Sequence, residues 1–430
     1  MYNNIAKTIH VKGGFNIKIL NNIIPQNRIV VGIDIAKKNH VAVINNEVLN
    51  FKNSYSGFYK LITWINSFAS DDCKIIIGME PTAHYWRNLY YWIQENYSHI
   101  ELQFVPCSKT KMMRGLRGNQ RKKNDPNDAR AIADLIELNG GFTIQKRSEI
   151  ESEIQVLYRM KDDYMKEQYK WKNKIISVLD EIFPEFNMVF SDVCCNSAIG
   201  ILKKYSTPKE IIDASVSEII DEVKKYVKTG YKPNKIKQLK ELASISVGVS
   251  NNCDIKKYKL IMFIDSYENC VKKIAEIESK AFELINQLDI TKSLIAIDGI
   301  SDKSICALIA ELGDISKYNN YKQLIRFVGL DLTDNSSGNK HGIKRISKEG
   351  SRKGRAILYR IVLTLMSRNA AFKKLADYYR NRPKNPLTGK KLVICLCHKF
   401  LKVLHTMIKN NTQFDENKLL EGIIPLLKVA

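Results

Sequence analysis

The stretch Arg28–Ile44, RIVVGIDIAKKNHVAVI, decides the fold of the N-terminal part of this chain. It places two apolar, β-branched runs on either side of a polar turn, which predicts two antiparallel strands. The next apolar run, EVLNF, predicts a third strand. The apolar spacing of GFYKLITWINSFA then predicts a helix.

The segment after this helix alternates strand and helix patterns. CKIIIGME is a continuous apolar run typical of a buried strand, HYWRNLYYWIQ has helical spacing, and IELQFV predicts another strand. Three strands followed by such an alternation predict a mixed α/β sheet of the ribonuclease-H type, which includes RuvC-like domains.

The charge of the chain indicates the chemistry of its partner. In 430 residues, Lys and Arg number 68 against 45 Asp and Glu, a net charge of +23, so nucleic acid is the expected partner. A membrane surface is the alternative, but no apolar run approaches the roughly 20 residues of a spanning helix. The nine cysteines include no CxxC pair, and CLCH at Cys395–His398 lies in an apolar helical run. We therefore expect reduced thiols, no zinc, no membrane partner and a soluble cytoplasmic protein.

Four segments are predicted along the chain. They are a basic tail (1–28), an α/β catalytic domain (29–148), a helical region (149–290) and a mostly helical C-terminal domain (291–430). Two long helices with heptad-like seams, near 150–182 and 260–288, flank smaller helices in between. The long helices can pair with each other as a coiled coil or pair across a dimer, and the pattern leaves both open.

The stretch LIAIDGISDKSICALIAELGDI predicts a helix, a Gly-containing turn and a second helix. Such an element is either a helix-hairpin-helix, whose turn amides and following helix N-terminus bind a backbone phosphate, or a plain αα-hairpin. The spacing leaves both readings open.

Four acidic residues stand where a metal site can use them. Asp34 lies in an apolar strand, where an unpaired carboxylate is costly. Glu80 follows a buried strand and precedes Pro81, which places it at the edge where α/β sheets hold their chemistry. Asp125 and Asp128 share one face of a helix start, although Asp125 is also a natural N-cap. Together they predict a Mg²⁺ site, with Mn²⁺ as a substitute.

Two basic stretches are candidates for nucleic-acid binding. The acid-free run 108–124 is either a phosphate track or a solvated face. The stretch Asn335–Arg355, NSSGNKHGIKRISKEGSRKGR, is either a polar turn or a phosphate-binding loop with a serine nucleophile. The candidate phosphate-binding residues are Lys109, Lys111, Arg114, Arg117, Arg121, Lys122, Lys123, Lys340, Lys344, Arg345, Lys348, Arg352, Lys353 and Arg355.

Four stretches of the sequence carry a resemblance to a known family. GIDIAKKNHVAV, GMEPTAHYW and KNDPNDARAIADL resemble the signature segments of the DEDD transposases of insertion-sequence family one-ten, relatives of the Piv-type DNA invertases. FVGLDLTDNSSGNKHGIKRISKEGSRKGRAILYRIVL resembles the C-terminal transposase domain of that family. The likeness spans residues 28–145 and 291–410. One departure is Ala83, where family members usually have Gly.

The resemblance implies roles for these residues. The DEDD tetrad falls on the four acids named above, and the serine nucleophile falls on Ser337, with Ser336 as its neighbouring competitor. A transient phosphoserine link to DNA is implied, with carboxylate and serine sites meeting across the subunits of a homodimer or tetramer. The resemblance also implies a structured guide RNA that pairs with donor and target DNA. It further implies a prokaryotic, nucleoid-associated protein.

We therefore predict a site-specific, Mg²⁺-dependent, RNA-guided DNA transposase or recombinase. Two alternatives remain: a metal-dependent junction-resolving nuclease without a covalent intermediate, and a catalytically inactive RNA-binding relative. A covalent protein–DNA adduct excludes the first, and Mg²⁺-dependent DNA rearrangement excludes the second.

Overall fold

The computed structural model has two compact units, residues 1–146 and 147–430. The residues it describes are 9–10, 16–17, 28–70, 72–81, 83–116, 125–143, 147–228, 232–249, 251, 253–333, 336–337, 340–341 and 345–421. Most of the predicted basic tail therefore lies outside the described residues.

Unit 1 is an α/β unit. Its described elements are β1 (Ile9–His10), β2 (Asn16–Ile17), β3 (Arg28–Asp34), β4 (Asn39–Ile44), β5 (Glu47–Lys52), α1 (Tyr55–Asn66), β6 (Lys74–Met79), α2 (Trp86–Asn96), β7 (Glu101–Phe104), α3 (Cys107–Leu116) and α4 (Asp125–Glu137). The short strands β1 and β2 pair with each other.

The other described strands of unit 1 form a five-stranded mixed sheet in the order β5-β4-β3-β6-β7. The first three strands are antiparallel, and β6 and β7 run parallel to β3. The apolar runs that predicted these strands form the buried centre of the sheet, with Val31, Ile33 and Ile77 inaccessible to solvent. The predicted mixed sheet is confirmed, and it is consistent with an RuvC-like domain.

Helix α4 lies across the central strand, where a glycine permits close approach. A Cβ on Gly32 would lie 2.0 Å from the carbonyl oxygen of Ala129, so a larger residue cannot occupy this position without moving α4. At the other end of the helix, the Arg28 guanidinium donates to the carbonyl of Glu137 at 3.3 Å. Helix α4 is therefore antiparallel to β3, and its N-terminus lies at the carboxyl end of that strand.

Unit 2 is mostly helical. Its described elements are α5 (Glu149–Ile182), α6 (Phe186–Val189), α7 (Asn196–Lys204), α8 (Pro208–Asp213), α9 (Val216–Tyr226), α10 (Pro233–Ser244), α11 (Cys253–Ile285), α12 (Asp289–Ile295), α13 (Asp302–Leu312), the 3-10 helix η1 (Ile315–Lys317), α14 (Tyr321–Phe327), β8 (Leu332–Thr333), β9 (Ser336–Ser337), β10 (Lys340–His341), β11 (Arg345–Ile346), α15 (Arg352–Arg368), α16 (Ala370–Asn381), α17 (Gly389–Asn410) and α18 (Glu416–Leu420).

The two long helices, α5 and α11, pack along each other within the chain. Lys161 Nζ lies 2.9 Å from Glu278 Oε1, and the rings of Trp171 and Phe263 are 5.6 Å apart. The residue numbers of these contacts increase along α5 and decrease along α11, so the two helices are antiparallel. The sequence left open whether these helices pair with each other or across a dimer. In the structure they pair with each other within one chain.

Two hydrophobic cores stabilise unit 2. One joins the C-terminal end of α5 to helices α6–α10, and the other joins the start of α5 and the end of α11 to helices α12–α17. Helices α12 and α13 meet at a turn in which Gly299 has φ of +93°, and Ser301 caps α13. This is the predicted helix–turn–helix arrangement, and phosphate binding by its turn stays a prediction. Within the described residues, no helix combines the length and apolarity that a bilayer crossing requires.

Candidate active site

Two of the predicted carboxylates lie at one edge of the sheet in unit 1. Strands β3 and β6 are parallel with Ile33 opposite Met79. Asp34 ends β3 and Glu80 directly follows β6, so the two residues occupy neighbouring positions at the carboxyl edge. Helix α4 begins at this same edge and carries Asp125 and Asp128 in its first turn. The sheet and the α4 crossing therefore bring all three carboxylate-bearing segments to one place.

Asp128 is largely buried, and its carboxylate is held by a guanidinium. The side chain of Asp128 is 13% exposed, and Arg114 Nη1 lies 2.9 Å from its Oδ1 and 3.3 Å from its Oδ2. Both partners are shielded from solvent, so the attraction between them is stronger than that of a surface pair. Arg114 was predicted as a phosphate ligand, and in this structure its contact is Asp128.

The tetrad does not fit a bound metal ion in this arrangement. Within the described part of the chain, which includes all four acids, no three His, Cys, Asp or Glu side chains are grouped as metal ligands. A divalent cation and a guanidinium are both positive and compete for the same carboxylate oxygens. Metal binding at Asp128 therefore requires the ion pair with Arg114 to open.

His40 is a residue near this edge that the sequence pattern did not identify. It lies on β4, fully buried, and its Nδ1 accepts a hydrogen bond of 3.1 Å from the Ala36 amide. Burial lowers the pKa of His40, with a hydrogen bond to Asn53 opposing the shift, so the ring is neutral at pH 7. It fixes the turn that directly follows Asp34. The sequence signal that could have identified His40 is a polar residue at the start of an apolar strand.

The backbone conformation of Ala83 gives a physical reason why family members usually have glycine at this position. Its φ is +52°, in the left-handed region that favours glycine, and its carbonyl accepts a hydrogen bond from the Trp86 indole at 3.2 Å. A Cβ in this conformation carries strain of about 1–2 kcal/mol. The residue lies three positions after Glu80, so the strain is in the segment that leaves the sheet edge.

We expect Ala83→Gly to stabilise unit 1. Relief of the left-handed strain exceeds the extra entropy of glycine in the unfolded chain, which leaves a gain of about 0.5–1 kcal/mol. Thermal unfolding should show a Tm about 2 °C higher. Ala131→Gly, in the interior of α4, should lower the Tm and serves as the control of opposite sign. A lower Tm for Ala83→Gly would show that the left-handed conformation carries no strain.

The predicted phosphate track lies partly on α3. On this helix Lys111 is exposed and Lys109 is half-buried. The contact of Arg114 with Asp128 places the helix beside the carboxylate edge. The remaining predicted track residues, Arg117, Arg121, Lys122 and Lys123, lie outside the described residues.

Ser337 lies in a short β-hairpin of unit 2. Strands β9 and β10 are antiparallel, with Ser337 opposite Lys340 and Ser336 opposite His341. Strands β8 and β11 pair outside them, with Thr333 opposite Arg345. The stretch that sequence patterns left as turn or functional loop is therefore a chain reversal with the two serines near its tip. Lys344 lies outside the described residues.

The base of this hairpin is held by backbone and side-chain hydrogen bonds. Ser347 Oγ donates to Asp331 Oδ1 at 2.6 Å, and the Ser347 amide donates to the Asp331 carbonyl at 2.7 Å. His398 of the CLCH stretch is 2.9 Å from the Leu330 carbonyl through Nε2, and burial lowers its pKa. This histidine is part of the helical core and anchors the hairpin.

The predicted phosphate ligands around the hairpin divide into two groups. Arg345, Lys348 and Arg352 are exposed. Arg355 donates to the Val328 carbonyl at 2.8 Å, and Lys353 pairs with an acid on α5 at 2.7 Å. The exposed group can meet a nucleic-acid backbone without breaking contacts in the fold.

Comparisons with known proteins show which family this chain resembles. Residues 31–184 match a family model described as a DEDD transposase of IS110 type, and residues 291–379 match one described as "Transposase IS116/IS110/IS902 family". Pilin gene-inverting proteins of Moraxella lacunata and Moraxella bovis are each 21% identical over 396 residues, covering 90% of this chain and 97% of theirs. A protein of insertion element IS110 from Streptomyces coelicolor is 20% identical over 308 residues, covering 70% of this chain and 74% of its own.

Proposed function

Because this chain belongs to the IS110 (insertion-sequence one-ten) family of transposases and is therefore a DNA-recombining enzyme, we propose that it performs site-specific recombination through a serine–DNA intermediate. The observation that carries the proposal is the convergence of Asp34, Glu80 and the first turn of α4 at one sheet edge. Three separate segments supply acids there, and these would serve phosphoryl transfer as ligands of a divalent cation once the ion pair between Arg114 and Asp128 opens.

The proposed nucleophile is the hydroxyl of Ser337. Its Oγ attacks the phosphorus of a DNA phosphodiester, the bond from phosphorus to one ester oxygen breaks, and a phosphoserine ester forms. The serine proton passes to a base, and the departing DNA oxygen gains a proton to become a hydroxyl. A hydroxyl of the second DNA strand then attacks the same phosphorus and releases the serine. One ester replaces another at each step, so no energy-rich cofactor is consumed.

The exposed cations near the hairpin have a role in this proposal. Arg345, Lys348 and Arg352 neutralise the phosphate while negative charge builds on its oxygens. Arginine suits this task because its planar group binds two phosphate oxygens at once. The position of Arg352 in the first turn of α15 adds the positive end of that helix dipole.

Mg²⁺ is the proposed metal ion, with Mn²⁺ as its substitute, because transposases of the DEDD type typically use a divalent metal. The arrangement in which Arg114 holds Asp128 does not fit that ion. Binding of Mg²⁺ would require this ion pair to open, and titration of the purified protein with Mg²⁺ tests that dependence.

A structured guide RNA is proposed as the source of sequence choice. The net charge of +23 supports a protein that binds nucleic-acid backbone over a wide area. Recognition of DNA by base pairing with a bound RNA leaves the protein to read backbone shape and charge, as in other guided systems. DNA substrates follow from the family, and the RNA is the part that needs a test.

The test is recombination with purified components. The protein is incubated with donor and target DNA, with Mg²⁺, and with RNA transcribed from the non-coding DNA that flanks its gene, and junctions are counted by sequencing. We expect recombinant junctions with RNA and Mg²⁺, and at least a hundredfold fewer when either is absent. Junctions formed equally well without RNA would remove the guide, and an absence of junctions under every condition would remove the proposed function.

A further inference from the structure

A groove at the C-terminal end of unit 2 lies apart from the hairpin described above. Its volume is about 580 Å³, and it is bounded by α16, the second half of α17, and α18. This volume is within the range of about 300–1,000 Å³ that is usual for ligand sites. Its walls combine cations, tyrosines and side-chain amides.

The cations outnumber the acids in this groove. Lys399 and Lys402 are three positions apart on α17, Lys418 comes from α18, and Arg382 follows α16. Among the described residues, none of these three lysines has an acidic partner within ion-pair distance. Unpaired cations in a concave site concentrate anions there.

The two acids that line the groove offset part of the charge of its four cations. The carboxylate of Asp415 accepts the amide of Asn417 at 2.9 Å and that of Lys418 at 3.3 Å, so it serves as the cap of α18. Glu421 also lines the groove and is exposed. The lining thus keeps an excess of positive charge.

Tyrosines form an aromatic wall beside the cations. Tyr379 is buried, and the Arg382 guanidinium lies 5.1 Å from its ring centroid. Arg382 Nε also donates to the Asn385 carbonyl at 2.8 Å, so its plane is fixed over the ring. Tyr378 is half-buried, with its ring 5.4 Å from that of Tyr379. Burial raises the pKa of Tyr379 to about 12, so the hydroxyl of Tyr379 stays protonated at pH 7.

We propose that this groove binds one nucleotide of a single-stranded nucleic acid, its phosphate on Lys399, Lys402 and Lys418 and its base against Tyr378. Cationic side chains beside an aromatic ring are the combination that binds single strands, because every base has a face that stacks. A paired base inside a duplex cannot present that face, so the strand must be unpaired here. The assignment rests on the proposed function, in which the chain handles both DNA and RNA.

The test measures the salt dependence of binding by the full-length protein. Fluorescently labelled oligo-uridine and oligo-deoxythymidine are titrated at several salt concentrations by anisotropy. For Lys399→Ala/Lys402→Ala we expect at least tenfold weaker binding. The slope of log Kd against log salt should fall by about 0.7, which is the contribution of the one single-strand phosphate that these lysines contact. The matched control, Lys390→Ala/Lys391→Ala, removes the same charge from exposed positions at the start of α17.

The aromatic half of the proposal has its own variant. Tyr378→Leu should weaken binding about tenfold and leave the salt slope unchanged, because it removes stacking and no charge. If the protein binds oligo-uridine more tightly than oligo-deoxythymidine, the strand is RNA, and the reverse order indicates DNA. Equal losses in the groove and control variants, or no loss in the groove variant, would overturn the proposal. Binding through the groove by a protein that fails to recombine DNA would remove the proposed function and leave the groove assignment standing.

Discussion

Asp34→Asn is expected to reduce recombination by about a thousandfold, with DNA binding unchanged within twofold. Asparagine has nearly the shape of aspartate but no charge, so the end of β3 keeps its fold and loses one anionic oxygen donor at the sheet edge. The carboxylate is proposed as a ligand of Mg²⁺, and loss of transition-state charge stabilisation of this kind typically costs about 10²–10³ in rate. The rate of junction formation and a binding titration with the same DNA measure the two effects separately.

Two further variants make the carboxylate prediction specific. Glu80→Gln should give a loss similar to that of Asp34→Asn, because Asp34 ends β3 and Glu80 directly follows the neighbouring strand β6. Asp72→Asn is the matched control: Asp72 is exposed and precedes β6, at the opposite edge of the sheet. Wild-type rates for Asp34→Asn would mean that this edge is not the site of chemistry.

Ser337→Ala is expected to abolish recombination, with a loss of at least about 10⁴-fold, because it removes the hydroxyl proposed to form the covalent intermediate. Binding of DNA and RNA should be unchanged. Ser336→Ala is the closest control that the chain offers, since it removes the same hydroxyl one residue earlier in the same strand. The two serines differ in register, with Ser337 opposite Lys340 and Ser336 opposite His341.

The serine comparison can come out in the reverse order. Recombination that survives in Ser337→Ala and is lost in Ser336→Ala would move the nucleophile by one residue and keep the mechanism. Recombination that survives in both variants would remove the serine mechanism and favour a metal-dependent nuclease.

The fold of unit 1 could be predicted from sequence because its signals are local. The β-branched runs from Arg28 to Ile44 and from Lys74 to Met79 can be buried only as strands, and the polar turn between the first two strands makes them antiparallel. The pairing of the long helices could not be predicted. Trp171 and Phe263 are far apart along the chain, and either helix could have met a second copy instead.

The residues of the candidate site could be proposed from the sequence, but their contacts could not. Asp34 and Glu80 were recognisable because acids at the ends of apolar strands are unusual. The ion pair between Arg114 and Asp128 could not be predicted from the sequence. A run of basic residues predicts phosphate binding even when one of its side chains contacts an acid of the same chain. The groove lysines on α17 were missed for a similar reason: lysines three residues apart on a helix have the spacing of any solvated face.

The structure also gives a physical reason for one feature that resemblance alone marked as a departure. Alanine at position 83 differs from the usual glycine, and the left-handed φ of that residue shows why glycine is favoured there. Alanine is tolerated because the strain is small compared with the stability of a folded unit.

The central claim is the serine–DNA intermediate, and trapping that intermediate tests it most directly. The protein reacts with labelled donor DNA, guide RNA and Mg²⁺, is denatured with detergent, and is separated by gel electrophoresis, and the peptide attached to DNA is identified by mass spectrometry. We expect a labelled band at the mass of the protein plus a DNA strand, attached at Ser337, present in wild-type and Ser336→Ala proteins and absent from Ser337→Ala. Recombinant junctions that form with no covalent adduct, or with an adduct that persists in Ser337→Ala, would contradict it.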